Sequence, residues 1–307
     1  MRIGVLRGRE NSFPDAFIAK VNSMDRGVTA EYIQVGGTKL NEDVPYRVVL
    51  DRMSHEVPYY SVYLKMAMLQ GAYVINNTFW RIADDKFFGY AAAEKMGIKE
   101  PRTVVLPNLE YVDDVTSDSL RNLWPTDFGM YLDYVGAPCI MKPAHGGGWK
   151  DVNKIRSLDD LKFHYEASGP KTMMLQEFIE WDTYIRVPTI GRRWARAIRY
   201  DPAPMGMGGY NQDYDILPRH MRDKAEELSL RFNVALGYDM NALEFAVKDG
   251  RYYGIDLTNY TPDYDHRSLK DAHFPWVVEK MADFAVEKAK SGEGTPKPPN
   301  FRELMLR

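Results

Sequence analysis

MNALEFAVKDGRYYGIDLTNYTPD, residues 240–263, decides the fold. Two runs within it, LEFAV (243–247) and YYGIDL (252–257), are rich in residues that suit a pleated, half-buried surface. KDGR between them carries the Asp-Gly pair of a tight hairpin turn. The hairpin brings Glu244 and Asp256 onto adjacent strands, with Asn259 three residues further on. Acidic and amide oxygens converging from paired strands suit Mg²⁺, a hard cation that keeps positions for water and phosphate. The alternative is a pair of surface charges on the exposed face of the hairpin. Ile255 and Leu257, which flank Asp256, speak against that alternative.

Upstream, CIMKPAHGGGWKD (139–151) delivers Lys142 at the end of an apolar run, then three glycines, Gly146 to Gly148, then Lys150. Glycines beside lysines suggest phosphate binding, because backbone without Cβ lays its N–H groups against an anion. The order is not that of a Walker A loop: no Ser or Thr follows Lys150, and Lys142 precedes the glycines. Taken alone, Lys142 is a solvated lysine at a strand end. A further lysine, Lys86, follows the apolar run YVINN and opens a helix from Asp84 to Met96, which stops at Gly97.

The rest of the chain falls into two patterns. Residues 1–6, 31–35, 45–52 and 72–77 read as strands, with helices opened by Pro14 and spanning 57–70 between them. Alternation of this kind predicts a doubly wound parallel sheet. From about residue 100 the signals change to an α+β mix. TVVL (103–106) and MLQEFI (174–179) read as strands, and Ser157–Ser168 as a helix capped by Ser157, with Asp160 at the capping-box position. YIRVPTIG and RRWARAIRYD form a hairpin turning at Gly191, Arg219–Leu236 is an amphipathic helix, and 276–290 is the last helix.

Taken in order, these motifs resemble the ATP-grasp superfamily and, within it, the RimK-type and glutathione-synthetase-like carboxylate–amine ligases. The likeness runs from about residue 45 to 265. It implies an ATP-grasp fold behind an N-terminal doubly wound (pre-ATP-grasp) α/β domain, with units at 1–100, 101–178 and 179–307. It implies ATP and Mg²⁺ (or Mn²⁺) as cofactors. Lys86 and Lys142 would contact the nucleotide phosphates. His145, Gly146, Gly147, Gly148, Trp149 and Lys150 would form a lid over them. Glu177, Phe178 and Ile179 would flank adenine, and Asp182 would take the ribose. Arg186 and Arg199 would face the triphosphate and the reacting carboxylate, and Glu244, Asp256 and Asn259 would hold the metal. The family often ends its metal site in Glu-x-Asn. Here Asp replaces Glu and two residues precede Asn259, a spacing that a β-bulge would absorb. The implied reaction joins a small-molecule or peptide carboxylate to an amine through an acylphosphate. A kinase on the same fold and a non-catalytic ATP-binding protein are the alternatives.

Composition bounds this reading. The chain has 307 residues, 45% hydrophobic and 27% charged, enough for two or three subdomains. A net charge of −3 marks neither a nucleic-acid nor an anionic-membrane binder. The single cysteine, Cys139, excludes a disulfide within the chain and reads as a small core residue in a cytoplasmic protein. No signal-peptide core and no membrane-length apolar run is present. Whether copies of the chain associate is open. For the substrate, Arg7, Arg9 and Arg52 lie where strands of a doubly wound sheet end, and each is either a carboxylate partner or a surface arginine. PMGMGGYNQ (204–212) borders a candidate acceptor site.

Overall fold

The computed structural model describes residues 1–40, 42–83, 85–116, 118–121, 123, 125–147, 149–202 and 209–299. The first unit is built from β1 (Arg2–Leu6), α1 (Phe13–Ser23), β2 (Thr29–Tyr32), β3 (Val48–Asp51), α2 (Pro58–Leu69) and β4 (Tyr73–Ile75). Its four strands are parallel, in the order β2-β1-β3-β4. Strands of a parallel sheet are covered on both faces, so the sequence reads as continuous apolar runs. VVLD of β3 is accordingly buried at all four positions. Ile3, Val5, Val48, Leu50, Tyr73 and Ile75 face one core, and Leu6, Val49 and Val74 face the other. Phe13, Phe17 and Val21 recur at helical spacing and press α1 onto the first core, while Tyr63, Leu64 and Ala67 press α2 onto the second.

The chain continues through α3 (Thr78–Ala83), α4 (Lys86–Lys95), β5 (Thr103–Val105), α5 (Phe128–Val135), β6 (Cys139–Pro143), β7 (Asn153–Ile155), α6 (Leu158–Glu166) and β8 (Met173–Glu177). Asp85 caps α4 by accepting from the Phe88 N–H at 2.6 Å, and Ser157 caps α6 by accepting from Asp160 N–H. The four strands pair antiparallel in the order β5-β8-β6-β7. Cys139 is fully buried in β6, and burial pushes its thiol up to about 11, which suits a core residue and not a nucleophile.

A larger antiparallel sheet follows, from β9 (Thr183–Ile190), β10 (Trp194–Ala195), β11 (Ile198–Asp201), β12 (Gly209–Tyr210), β13 (Met240–Lys248) and β14 (Arg251–Asp256). Its order is β12-β11-β9-β13-β14, with β10 paired to β9. Helix α7 (Arg219–Leu236) buries Ala225, Leu228 and Phe232 against one face. The turn after β9 needs glycine twice over. Gly191 has φ 64°, and a Cβ there would lie 2.8 Å from the Phe284 ring. Phe284 belongs to α8 (His266–Ser291), which packs on α1, β1 and β3. The last helix thus covers the parallel sheet at the other end of the chain. It begins ten residues before the expected Trp276, with non-helical backbone at Lys270 and Pro275 inside it. Strand β2 lies earlier than the expected 31–35 and stops at Tyr32. Beyond α8 the chain returns to β4, where Thr295 Oγ1 accepts from Val74 N–H (2.7 Å) and donates to the Ala72 carbonyl (3.0 Å). No helix among the described residues is long and apolar enough to cross a membrane.

Candidate active site

Strands β9, β13 and β14 lie side by side. Their register sets Glu244 opposite Arg186 on one flank and Asp256 on the other, so the three charged residues form one row across the sheet. Tyr184 lies two residues before Arg186 and on the same face, and its hydroxyl donates to Glu244 Oε2 at 2.6 Å. Arg186 Nε is 3.5 Å from Glu244 Oε1, and the guanidinium lies 5.2 and 5.5 Å from the ring centroids of Tyr200 and Tyr210. Burial alone would lower the arginine, but the surrounding Tyr210, Glu244, Tyr200 and Asp256 hold it above its ordinary value.

The register slips by one residue beyond Glu244. Phe245 pairs with Gly254, which leaves Ile255 as the extra residue of a β-bulge on β14. Its carbonyl takes partners from outside the sheet: the Tyr90 hydroxyl at 2.6 Å and Lys142 Nζ at 3.0 Å. Lys142 also donates to the Tyr90 oxygen at 2.9 Å. From the first residue of α4, Lys86 Nζ reaches Asp256 Oδ2 at 2.9 Å. Both lysines, carried by different elements, thus end on two consecutive residues of β14. Burial, then the neighbouring Lys86 charge, bring Lys142 down to about 7, although Asp256, Glu244 and Glu100 pull the other way. Asp256 Oδ1 is buried and has no hydrogen-bond partner.

Asn259 is held by its backbone beside β13. Its N–H donates to Asn241 Oδ1 (2.7 Å), and its carbonyl accepts from Ala242 N–H (3.2 Å). The irregularity in this hairpin therefore lies before Asp256, not between Asp256 and Asn259. Arg199 does not join the row. Ile198 pairs with Arg186 and Arg199 with Ile185, so alternation puts Arg199 on the opposite face of the sheet from Arg186, the face that α7 covers.

The residues expected at the nucleotide base are gathered where β8 ends. Glu177 is bonded to Arg102 through both backbone and side chain, with Arg102 Nε 3.2 Å away. Burial raises the Glu177 carboxyl, but its Arg102 hydrogen bonds outweigh that and hold it below the usual range. Lys154 Nζ sits 3.8 Å from the Phe178 ring centroid, and Ile179 is buried. Asp182 is exposed, and its Oδ2 accepts from Asp249 N–H at 2.9 Å in the β13–β14 turn. His145, Gly146, Gly147, Trp149 and Lys150 are exposed, and a Cβ on Gly146 or Gly147 would meet nothing within 4 Å. Gly148 lies outside the described residues, as do 204–208 of the glycine-rich stretch near the expected acceptor site.

At the strand ends of the parallel sheet, the arginines are engaged. Arg52 is buried, with its guanidinium on Glu10 and the Pro262 carbonyl and against the rings of Phe13 and Tyr264. Arg9 pairs with Glu56 at 2.7 Å, and Arg7 lies over Tyr32. Sequence reasoning missed Tyr90, Tyr184 and Glu100. Tyr90 lies one helical turn after Lys86, and Tyr184 shares a strand face with Arg186, so periodicity alone could have flagged both. Nothing in the sequence marks Glu100.

No family model matches the chain. Among curated proteins, it is 28% identical over 138 residues to a formate-dependent phosphoribosylglycinamide formyltransferase of Hydrogenovibrio crunogenus, covering 40% of this chain and 34% of that protein. It is 24% identical over 149 residues to pyruvate carboxylase 1 of Caenorhabditis elegans, covering 40% of this chain and 12% of that one. These matches span about a third and about an eighth of those relatives. Likeness to solved structures extends over the whole fold. D-alanine–D-alanine ligase of Bacillus anthracis complexed with ATP superposes with a TM-score of 0.63 at 18% identity, over 95% of this chain and 98% of that one. A RimK-domain ATP-grasp protein of Sphaerobacter thermophilus gives 0.66 at 18%, over 93% and 100%. The VanG D-Ala:D-Ser ligase of Enterococcus faecalis gives 0.68 at 11%, over 94% and 99%. The chain has the ATP-grasp fold.

Proposed function

We propose that the chain is an ATP-dependent carboxylate–amine ligase that forms an amide or peptide bond through an acylphosphate and releases ADP and phosphate. The observation that carries this reading is the Arg186–Glu244–Asp256 row with Lys86 and Lys142 gathered on β14. Mg²⁺ is commonly held by one or two carboxylates together with substrate phosphates. The donors here fit that habit. Among the described residues no three His, Cys, Asp or Glu side chains converge, yet two carboxylates face each other and Asp256 Oδ1 is buried without a partner. Glu244, Asp256 and Asn259 would hold the ion, Mg²⁺ or Mn²⁺. When bound, the ion supplies neutralisation of charge on the phosphoryl oxygens.

The chain's own groups carry the rest. Lys86 and Lys142 exchange their present partners, Asp256 and the Ile255 carbonyl, for nucleotide phosphates. Arg186, held against two tyrosine rings, faces charge that develops on the transferring group and on the tetrahedral intermediate. Glu177, Phe178 and Ile179 border the base, and Asp182 the ribose. The loop 145–150 closes over the phosphates and keeps water from the acylphosphate. Residues 1–100, 101–178 and 179–307 act as the working units, the second carrying the loop. No protein nucleophile takes part. Two of the similar structures are named as ligases joining D-alanine to D-alanine or D-serine, so small amino acids are the first substrates to test.

The experiment is a screen of amino acids and dipeptides for amine-dependent ADP release, followed by ¹⁸O labelling of the substrate carboxylate. The label should appear in released phosphate. AMP, or a stable phosphorylated product, overturns the ligase reading.

A further inference from the structure

Tyr184 stands on β9, two residues before Arg186. The β9–β13 register sets Ala246 directly across from it and Glu244 at the diagonal position, opposite Arg186. Diagonal neighbours in an antiparallel pair lie about 7–8 Å apart, a gap that an aromatic side chain spans. Ala246 is fully buried, and its small methyl group leaves room for the phenol to lean across toward Glu244. The ring is also packed from other directions. Its centroid lies 5.2 Å from that of Trp181 and 6.3 Å from that of Tyr200. Tyr184 is 5% exposed, so its ring has little freedom, and its hydroxyl stays on Glu244 Oε2 at 2.6 Å.

The two oxygens of Glu244 are therefore unlike. Oε2 accepts from a buried phenol. Oε1 accepts no hydrogen bond from the described residues: Arg186 Nε, 3.5 Å away, makes none. A carboxylate with both oxygens free can close on a cation through both, a mode that Ca²⁺ uses readily among its roughly six to eight oxygen ligands. A carboxylate with one oxygen committed to a phenol offers the other alone. That suits Mg²⁺ or Mn²⁺, which favour octahedral sites built with few carboxylate oxygens and several waters. We propose that Tyr184 is a positioning residue that limits Glu244 to single-oxygen coordination through Oε1 and so sets the site for Mg²⁺ or Mn²⁺ against Ca²⁺. This rests on the metal reading given above, in which Glu244 and Asp256 share an ion. Asp256 does not supply the discrimination. Its Oδ2 is held by Lys86 at 2.9 Å, and in that reading Lys86 leaves for a phosphate.

The full chain is titrated with Mn²⁺, alone and with ADP, and free Mn²⁺ is read by electron paramagnetic resonance against a protein-free Mn·ADP titration. Ca²⁺ is then added as competitor. The wild type should bind Mn²⁺ about tenfold or more tightly than Ca²⁺. Tyr184→Phe keeps the ring and loses the hydroxyl. In it Mn²⁺ should weaken about tenfold, as is common when a metal ligand loses its hydrogen-bond partner. Ca²⁺ should change by less than about threefold, because Glu244 regains its second oxygen. A merely structural role would weaken both ions alike, so equal losses overturn the assignment, as does a variant that binds both ions like the wild type. One arm needs no variant: Ca²⁺ bound by the wild type as tightly as Mn²⁺ also overturns it. Glu244→Gln identifies the ion being counted. If the wild type binds Mn²⁺ neither alone nor with ADP, or if Glu244→Gln binds it unchanged, the metal reading itself falls. If Glu244→Gln loses the ion and only the shift in Tyr184→Phe is missing, the metal set stands and the role of Tyr184 falls.

Discussion

Two arginines of this chain each lie against a pair of aromatic rings, Arg52 fully buried and Arg186 half-buried, and they differ in how their donors are paired. Arg52 lies against Phe13 and Tyr264 and spends its donors on Glu10, the Pro262 carbonyl and Met240 Sδ. Arg186 lies against Tyr200 and Tyr210, with Nε 3.5 Å from Glu244 and no hydrogen bond from that atom. The first ties the parallel sheet to the loop after β14. The second holds charge ready beside two carboxylates, one of which also has an orphaned oxygen. Completed pairing suits a structural role, and incomplete pairing in this half-buried row suits the ligand site proposed above.

Exchange of the two arginines breaks or sharpens that contrast most. Arg52→Ala should cost about 3–5 kcal/mol in urea unfolding, because it leaves Glu10 facing a void. Arg186→Met should cost less than half as much while lowering turnover roughly a hundredfold. Equal losses of stability would erase the distinction. Glu244→Gln should lower turnover by about 10²–10³ at saturating Mg²⁺ with the melting temperature nearly unchanged; near-normal ADP release would remove Glu244 from the metal set.

The lysines supply a test by pH. Burial and the Lys86 charge hold Lys142 down to about 7. Between about 7 and the ordinary lysine value near ~10.4, the unfolded chain keeps this proton and the folded chain does not, so stability rises with pH across that window. The rise should amount to no more than a few kcal/mol and should flatten in Lys142→Met but not in Lys162→Met, whose lysine is exposed on α6. Identical profiles would place Lys142 in a solvated setting. Smallest is Asp182→Ala, which removes the acceptor for Asp249 N–H at a turn residue with φ 49° and should cost ~1 kcal/mol in thermal unfolding.

Much of this was legible in the sequence, because the signals were local. The strands at the centre of the parallel sheet are apolar runs, and the 240–263 hairpin has its turn chemistry in place, so Glu244 and Asp256 could be placed on adjacent strands from the sequence. What escaped depends on distance or register. Strand β7 has only three residues, one of them an exposed lysine, and α5 carries Gly129 and three aromatic residues where clean periodicity would be needed. Arg52 read as a ligand candidate because Glu10, 42 residues away, is visible only once β1 and β3 pair. Arg199 looked equivalent to Arg186 until the β9–β11 register put the two on opposite faces. The bulge at Ile255, which frees the carbonyl that Lys142 takes, is a matter of pairing and leaves no mark on composition.

Strand β4 closes one side of the parallel sheet, and an open sheet edge is a template on which another chain can add a strand. Thr295 occupies that position with a single hydroxyl, taking the Val74 N–H and giving its own proton to the Ala72 carbonyl. One side chain thus counterfeits the two hydrogen bonds that an intruding strand would make. Thr295→Val keeps the shape and removes both bonds, and the colloidal behaviour of the whole chain, its tendency to self-associate on gentle heating, comes to depend on an oxygen atom far from any chemistry.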